Sequence, residues 1–275
     1  MKNAIFTCSD AKFGDFLANH WLKSLKENVD LSNTDVVILD YGFSKEQSDR
    51  LSKENVIIVK GKRDGHVTSI RFRDMAIFLE KHAYDQVLST DGGDIIFQAD
   101  LKELFEKNKD SFRAVTEDFN LPFGDLFTKN FFSKETVEKI KKTLKGKKMI
   151  NAGVVVAPHK KFLNLAKEIN ELVIDKSKFG PDQVAVNYIL YRDGFKELDK
   201  KFNFVFTTCA LPFSIKDGEF LLPNGEKIPI VHNAGGSNTF RPIENFGYGK
   251  DFNRLKWFTY WGARVFTRLV HSFKR

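Results

Sequence analysis

Two carboxylates separated only by glycines are the residues of this sequence best suited to chemistry. Asp91 and Asp94 flank two glycines, and apolar runs at 86–90 and 95–97 enclose them, so the segment interrupts a buried strand at its end. Glycine allows positive φ and leaves room for a ligand to approach closely. Two converging carboxylates repel each other unless a hard cation lies between them. The segment therefore predicts a divalent-metal site, and the alternative is an ordinary Asp-Gly turn between two strands.

An alternation of apolar strands and amphipathic helices must position these carboxylates. The predicted strands cover residues 4–8, 35–41, 56–60, 86–90, 113–117 and 150–158, and the predicted helices cover 16–25, 45–53, 70–82, 137–144 and 162–173. This alternation predicts an α/β fold in which helices flank a mostly parallel central sheet. Short strands and turns follow from residue 199, and a terminal helix follows residue 249. We therefore expect one domain over residues 1–249 and a C-terminal helix over residues 250–275.

Polar residues collect where the predicted parallel strands end, which is where open α/β sheets bind their ligands. They are Thr7 and Cys8 after the first strand, Asp40 and Tyr41 after the second, Asp91 and Asp94 after the fourth, and Glu117 and Asp118 after the fifth. A metal at an acidic edge beside an arginine suits a diphosphate, because the cation and the guanidinium share the phosphate charge. Arg71 and Arg73 are the candidate arginines, and we expect Arg73 to face solvent instead.

Six short motifs occur in an order that is typical of one enzyme family. They are Arg71-Phe72-Arg73, the segment Asp91 to Asp94, Asn151-Ala152-Gly153, Asp182 to Asn187, Leu198 to Asn203, and His232 to Gly235. From the first strand to residue 242 the chain resembles GT-A-fold glycosyltransferases, and it is most similar to glycosyltransferase family 8. It departs from the family in the extra glycine between the aspartates, in Val184 where the family has Asp, and in Arg241-Pro242 where the family has Lys-Pro-Trp.

The resemblance implies a metal-dependent hexosyltransferase of polysaccharide synthesis, which moves a hexose with retention from a nucleotide sugar, most often UDP-linked, to a saccharide or lipid-linked acceptor. Asp91, Asp94 and His232 would hold Mn²⁺ or Mg²⁺, and the mixed carboxylate and imidazole set favours Mn²⁺. Either Asp94 reaches the metal through a bulge at the glycines or Asp91 binds it without Asp94, and His232 could instead be a surface histidine. The donor-binding residues would be Thr7, Cys8, Asp40, Tyr41, Arg71, Asn151 and Arg241. Gln183 and Asp182 would face the sugar, where an oxygen stabilises the oxocarbenium-like transition state.

The C-terminal segment, residues 250–275, carries +6 of the net charge of +8, because it holds seven Lys or Arg residues and one Asp. The rest of the chain is nearly neutral, so we expect no nucleic-acid partner. One predicted helical stripe contains Arg254, Trp257, Trp261, Arg264, Arg268 and His271, and an adjacent apolar stripe contains Leu255, Phe258, Val265, Leu269 and Phe273. Such a pattern is typical of a helix in a membrane interface, and the alternative is a helix packed on the core with its charges in water.

The expected location is the cytoplasm, with the C-terminal helix on the inner face of the cell membrane. Cys8 and Cys209 lack metal-ligand or CxxC spacing, which suits a reducing compartment. No segment reaches the ~20 apolar residues of a membrane span, and the first residues do not form a signal peptide.

Two other functions stay open at this stage. A sugar nucleotidyltransferase has a related fold and binds nucleotide and metal, but it usually has a Gly-rich basic loop where residues 7–12 are poor in glycine. A catalytically degenerate, membrane-associated binding protein would explain the altered metal motif and the missing Trp.

Overall fold

The computed structural model describes residues 1–118, 130–235 and 241–272. The strands are β1 (Asn3–Ser9), β2 (Thr34–Asp40), β3 (Ile57–Lys60), β4 (Gln86–Thr90), β5 (Ile95–Phe97), β6 (Phe112–Thr116), β7 (Ile150–Pro158), β8 (Phe195–Glu197), β9 (Ser214–Lys216), β10 (Glu219–Leu221), β11 (Ile230–His232), β12 (Ile243–Glu244) and β13 (Arg254–Leu255). The helices are α1 (Gly14–Phe16), α2 (Lys23–Asn28), α3 (Lys45–Leu51), α4 (Val67–Leu79), α5 (Lys102–Glu106), α6 (Lys134–Leu144), α7 (His159–Leu172), α8 (Pro181–Asp193) and α9 (Trp257–Ser272), with a π-helical stretch at Leu17–Leu22 and a 3₁₀ helix at Lys200–Asn203.

A seven-stranded sheet forms the centre of the fold, in the order β3-β2-β1-β4-β7-β6-β8. Neighbouring strands are parallel except where β7 pairs with β4 and β6, and both of those pairings are antiparallel. This confirms the predicted α/β fold with a mostly parallel sheet. The reversed direction of β7 matters for the site, because its first residues lie at the edge where its parallel neighbours end.

Helices cover both faces of the sheet, because successive side chains of the central strands are apolar on opposite sides. In β1, Phe6 packs into a cluster with residues of α4, α7 and α8, whereas Ile5 packs with the π-helical stretch and α2. Both side chains are fully buried. The sheet is therefore closed on its two faces, and its carboxyl edge is the place for polar residues and ligands.

Local signals start the helices that approach this edge. Ser44 caps α3 through a capping box with Gln47, in which each side chain bonds to the other residue's backbone N–H. Gly180 has a φ of 112° and precedes Pro181, the first residue of α8. Glycine takes that conformation at little cost, and proline suits the first turn of a helix. Asp182 therefore lies in the first turn of α8, where it reaches the arginine of the site described below.

The C-terminal helix begins later than the sequence pattern predicts. Arg254 and Leu255 form β13 and pair with β12, so their predicted place in the helical stripes is wrong. Backbone bonding to Ile243 and Glu244 keeps them extended, and α9 starts at Trp257. Phe273 and the side chain of His271 lie outside the described residues. Within the described ranges, no helix combines the length and the apolar character needed to cross a membrane.

Candidate active site

Asp91, Asp94 and His232 converge at the carboxyl edge of the sheet, with one ligand atom from each lying within 4.8 Å of the others. Asp91 follows β4, and its N–H donates to the Gly153 carbonyl at 3.0 Å. Asp94 precedes β5, which pairs with β11 so that Ile95 lies opposite His232. The Nε2 atom of His232 lies 3.4 Å from Asp94 Oδ1 and 3.7 Å from Asp91 Oδ2. Both carboxylates therefore face one position, and His232 is not a surface histidine, because it is 2% exposed.

Close packing requires glycine at position 92 and leaves little room for a side chain at Gly93, whereas the positive φ that glycine allows is not used. Neither glycine has a φ in the left-handed region. A Cβ on Gly92 would lie 2.6 Å from Thr7 Oγ1 and 2.8 Å from the Cys8 carbonyl oxygen, and one on Gly93 would lie 3.0 Å from the Phe13 ring. Protein atoms, and not a ligand, therefore occupy the space that the missing side chains leave.

Arg71 is the buried counter-charge of the site. Its guanidinium is 2% exposed, and it lies 2.5 Å from Asp91 Oδ1 and 3.4 Å from Asp182 Oδ2. Arg73, two residues later, does not face solvent, contrary to the prediction. Its side chain is 22% exposed and is ion-paired with Asp64 at 2.6 Å and Asp74 at 2.7 Å. Arg71 therefore binds carboxylates of the site, whereas Arg73 binds groups of the loop before α4.

Neighbouring opposite charges together affect the pKa values of Asp91 and His232 more strongly than burial does. Burial by itself raises the pKa of Asp91, but the guanidinium of Arg71 outweighs it and holds that pKa below its usual value. Burial by itself lowers the pKa of His232, but the carboxylates of Asp94 and Asp91 outweigh it and raise that pKa. Without metal, the cluster thus favours a deprotonated Asp91 and a protonated His232.

The residues present fit a divalent cation. Two carboxylates and one imidazole supply oxygen and nitrogen donors, a mixture that suits Mn²⁺. The other ring nitrogen of His232, Nδ1, bonds to Asn203 Oδ1 at 2.9 Å. Metal-binding histidines usually make such a bond with their second nitrogen.

Arg241 adds positive charge on the far side of Asp94. Its Nη2 atom lies 2.9 Å from Asp94 Oδ2, and its Nε donates to the Gly235 carbonyl at 2.8 Å. The side chain is 29% exposed. The guanidinium is therefore partly open to solvent beside the cluster.

Asp182 and Gln183, the residues predicted to face the donor sugar, begin α8 beside β7. Asp182 is 4% exposed and borders Arg71, and burial raises the pKa of its carboxyl. The Gln183 amide is fastened to the sheet, because it accepts from the Ala152 N–H at 3.0 Å and donates to the Ile150 carbonyl. Their catalytic role stays a prediction, and Gln183 can take part only from this fixed position.

The predicted donor-binding residues at the ends of β1 and β2 are engaged with protein groups. Asp40 Oδ1 accepts two backbone N–H bonds from the turn after β2. The Tyr41 hydroxyl donates to Asp74 Oδ2 at 2.7 Å. Burial raises the pKa of the Cys8 thiol to about 12, so the thiol is neutral. Among the described residues, Thr7 Oγ1 has no hydrogen-bond partner although it is buried.

Three residues for which the sequence predicted no individual catalytic or binding role lie against the cluster, and one of them, Glu117, was predicted to lie at this edge. Asn203 bonds to His232, Glu117 accepts from Asn151 Nδ2 at 2.8 Å, and the Gly153 N–H donates to Asn151 Oδ1 at 2.9 Å. Asn203 and Gly153 belong to two of the six motifs, so a signal for them was present in the sequence. Their contacts with His232 depend on the tertiary fold, which those motifs do not reveal.

Among proteins of known structure, glycosyltransferases have a similar fold. No family model matches the sequence, and no curated protein matches it either. The galactosyltransferase LgtC, in complex with donor and acceptor sugar analogues, is 18% identical with a TM-score of 0.57, and the match covers 98% of this chain and 95% of LgtC. An active-site mutant of LgtC has a TM-score of 0.59 at 18% identity. The glycosyltransferase GlyE of Streptococcus pneumoniae is 18% identical with a TM-score of 0.53, and the match covers 98% of this chain and 62% of GlyE.

These similarities confirm the predicted GT-A fold and the structural resemblance to GT-A glycosyltransferases. The chain spans nearly the whole of LgtC and less than two thirds of GlyE. At 18% identity the comparison shows the fold, and one fold can carry many reactions. The reaction has to be inferred from the site.

Proposed function

We propose that this chain is a metal-dependent, retaining hexosyltransferase that moves a hexose from a nucleotide sugar, UDP-linked in the first instance, to a saccharide or lipid-linked acceptor. The observation that carries the proposal is the convergence of Asp91, Asp94 and His232 beside the buried Arg71, at the carboxyl edge of a GT-A sheet. Structural neighbours with this fold are glycosyltransferases, and one was solved with donor and acceptor sugar analogues.

The charges of the cluster suit a nucleoside diphosphate. A diphosphate brings several negative charges, which two carboxylates would repel unless a cation and a guanidinium compensated them. Asp91, Asp94 and His232 would hold the cation, and Arg241 would share the phosphate charge from its partly exposed position. Arg71 is too deeply buried to leave its carboxylates, so its task is to keep Asp91 deprotonated and aimed at the metal position.

Bond cleavage at the donor sugar needs stabilisation of both separating fragments. A bound Mn²⁺ or Mg²⁺ ion would supply Lewis-acid stabilisation of the departing nucleoside diphosphate. On the sugar side, the Asp182 carboxylate and the side-chain carbonyl of Gln183 would supply the oxygens that stabilise an oxocarbenium-like centre. Burial of Arg71 and Asp182 keeps water from screening these charges.

We further propose that α9 rests on an anionic membrane surface at the inner face of the cell membrane, where lipid-linked acceptors would be found. Its most exposed large apolar side chains are Trp257, Phe258, Trp261, Val265, Phe266 and Leu269, which are 40–97% exposed. The opposite side packs inward, because Ala263 is buried and Arg264 donates to the carbonyls of Phe206 and Cys209. The segment that carries most of the net positive charge therefore also presents an apolar face, which supports an anionic lipid surface as its partner.

Vesicle binding tests the α9 proposal. Phe258→Ser combined with Trp261→Ser should abolish cosedimentation with phosphatidylserine-containing vesicles, whereas Ile174→Ser, at a side chain that is 64% exposed elsewhere, should leave it intact. Equal vesicle binding by all proteins would reject the membrane surface. Dimerisation in the absence of vesicles that the same double variant abolishes would show that a second copy covers the face.

A donor screen tests the catalytic proposal. The full chain is incubated with Mn²⁺ and a panel of UDP-hexoses, and release of UDP is measured with and without a chelator. We expect metal-dependent release for at least one donor and its loss in Asp91→Asn, while Asp49→Asn, at an exposed position of α3, stays active.

The alternatives give different results in the same screen. Formation of pyrophosphate from a nucleoside triphosphate and a sugar phosphate would identify a sugar nucleotidyltransferase. A protein that binds a UDP-sugar without turning it over would be a degenerate binding protein. A protein that neither binds nor turns over any donor would contradict the transferase proposal.

A further inference from the structure

We propose that Asn203 is a positioning residue that fixes the tautomer of His232, so that the ring presents an unprotonated Nε2 to a divalent cation. This inference rests on the metal site proposed above. Asn203 ends the 3₁₀ helix and is fully buried, as is the ring that it contacts. Its side chain connects the metal cluster to the first residues of β7.

A chain of hydrogen bonds runs from the backbone of β7 to His232. The Gly153 N–H donates to Asn151 Oδ1 at 2.9 Å. Asn203 Nδ2 donates to the same oxygen at 3.1 Å and to the Asn151 carbonyl at 3.4 Å. Asn203 Oδ1 then lies 2.9 Å from His232 Nδ1. At the other end, Asn151 Nδ2 donates to Glu117 Oε1 at 2.8 Å.

The backbone sets the direction of every bond in this chain. A backbone N–H only donates, so the Gly153 N–H requires Asn151 to present its Oδ1 atom. That oxygen, together with the Asn151 carbonyl, requires Asn203 to present its amide nitrogen. The oxygen of Asn203 is therefore left for His232, and a ring nitrogen that faces an acceptor must carry a proton. Neutral His232 thus holds its proton on Nδ1, and Nε2 keeps its lone pair.

The lone pair faces the two aspartates, and the ring packs closely against β7. The Nε2 atom is the one that lies 3.4 Å from Asp94 and 3.7 Å from Asp91. A Cβ on Gly153 would lie 2.4 Å from the His232 Cε1 atom, so glycine is needed for the ring to lie against β7. Because Asn203 and His232 are both almost completely buried, water cannot replace the bond between them.

Calorimetric titration with Mn²⁺ alone tests the inference without depending on activity. Asn203→Leu removes the acceptor, and we expect it to weaken Mn²⁺ binding by about 10- to 100-fold. Asn203→Asp keeps an oxygen opposite Nδ1 and should retain most of the affinity, although it loses the donor to Asn151. The matched control is Asn187→Leu, which removes an equally buried amide that bonds to the backbone of β7. This control should keep the affinity of the wild type.

A spectroscopic measurement on the wild type keeps the inference testable if Asn203→Leu does not fold. In ¹⁵N-histidine-labelled protein saturated with diamagnetic Mg²⁺, we expect His232 to show a protonated Nδ1 and an unprotonated Nε2. The reverse tautomer would overturn the inference, and so would an Mn²⁺ affinity of Asn203→Leu that matches the wild type. Equal losses in Asn203→Leu and Asn203→Asp would also overturn it, because they would indicate a purely structural role. Failure of the wild type to bind Mn²⁺ would instead contradict the proposed metal site.

Discussion

Replacing Arg71 with methionine removes the buried counter-charge of the site. The guanidinium is 2% exposed and pairs with Asp91 and Asp182, and methionine would leave the buried Asp182 carboxylate without its cation and take from Asp91 its shortest ion pair. Breaking a buried ion pair costs about 3–5 kcal/mol. A domain of this size loses about 2–4 °C of Tm for each kcal/mol, so Arg71→Met should lower the Tm by roughly 6–20 °C.

Thermal unfolding followed by circular dichroism at pH 7 measures this effect. The control is Arg192→Met on α8, whose guanidinium pairs with Glu168 and Asp193 at the surface and is 37% exposed. Exposed pairs contribute about 0–1 kcal/mol, so the control should lose only a few degrees. Added Mn²⁺ should recover part of the loss in Arg71→Met, because the cation neutralises Asp91. Equal, small losses in both variants would refute the view that charge holds the site together.

Three smaller predictions follow from single contacts. Because the pKa of His232 is raised, protons compete with the metal, and the Mn²⁺ affinity measured by calorimetry should increase as pH rises through that pKa and then level off. Without metal, protonated His232 stabilises the folded protein. This stabilisation is complete below pH 6.5 and is lost as pH rises through the raised pKa, which a fall in Tm would report. In urea unfolding, Gly92→Ala should destabilise by about 1–3 kcal/mol, whereas Gly262→Ala, with open space around it, should stabilise by about 0.5–1 kcal/mol. Ser44→Ala should cost about 1 kcal/mol through loss of the capping box.

Residue patterns predicted the sheet and its carboxyl edge because both depend on local periodicity. The apolar runs that form β1, β2, β4 and β7 are long enough to identify from the sequence, and polar residues follow the parallel ones directly. The reversed direction of β7 was not visible in its sequence. It brings Asn151 to the same edge even though this residue starts its strand instead of ending it.

Contacts between distant segments could not be predicted from such patterns. Asp94 meets His232 because β5 pairs with β11, and each of these strands has only three residues, too few for a periodicity signal. The sequence could not show why glycines separate the aspartates, because both a positive φ and tight packing call for glycine; at Gly92 the reason is packing against Thr7 and Cys8 of β1. Arg254 and Leu255 matched a helical spacing, but backbone pairing with β12 overrides it.

Binding of UDP in the presence and absence of Mn²⁺ tests the proposed site most directly, because it needs neither the correct sugar nor the acceptor. Calorimetry on the full chain should show UDP binding that requires Mn²⁺, disappears on addition of a chelator, and is lost in Asp94→Asn but not in Asp49→Asn. Binding of UDP that is unchanged by the chelator and by Asp94→Asn would contradict a metal-held diphosphate at Asp91, Asp94 and His232.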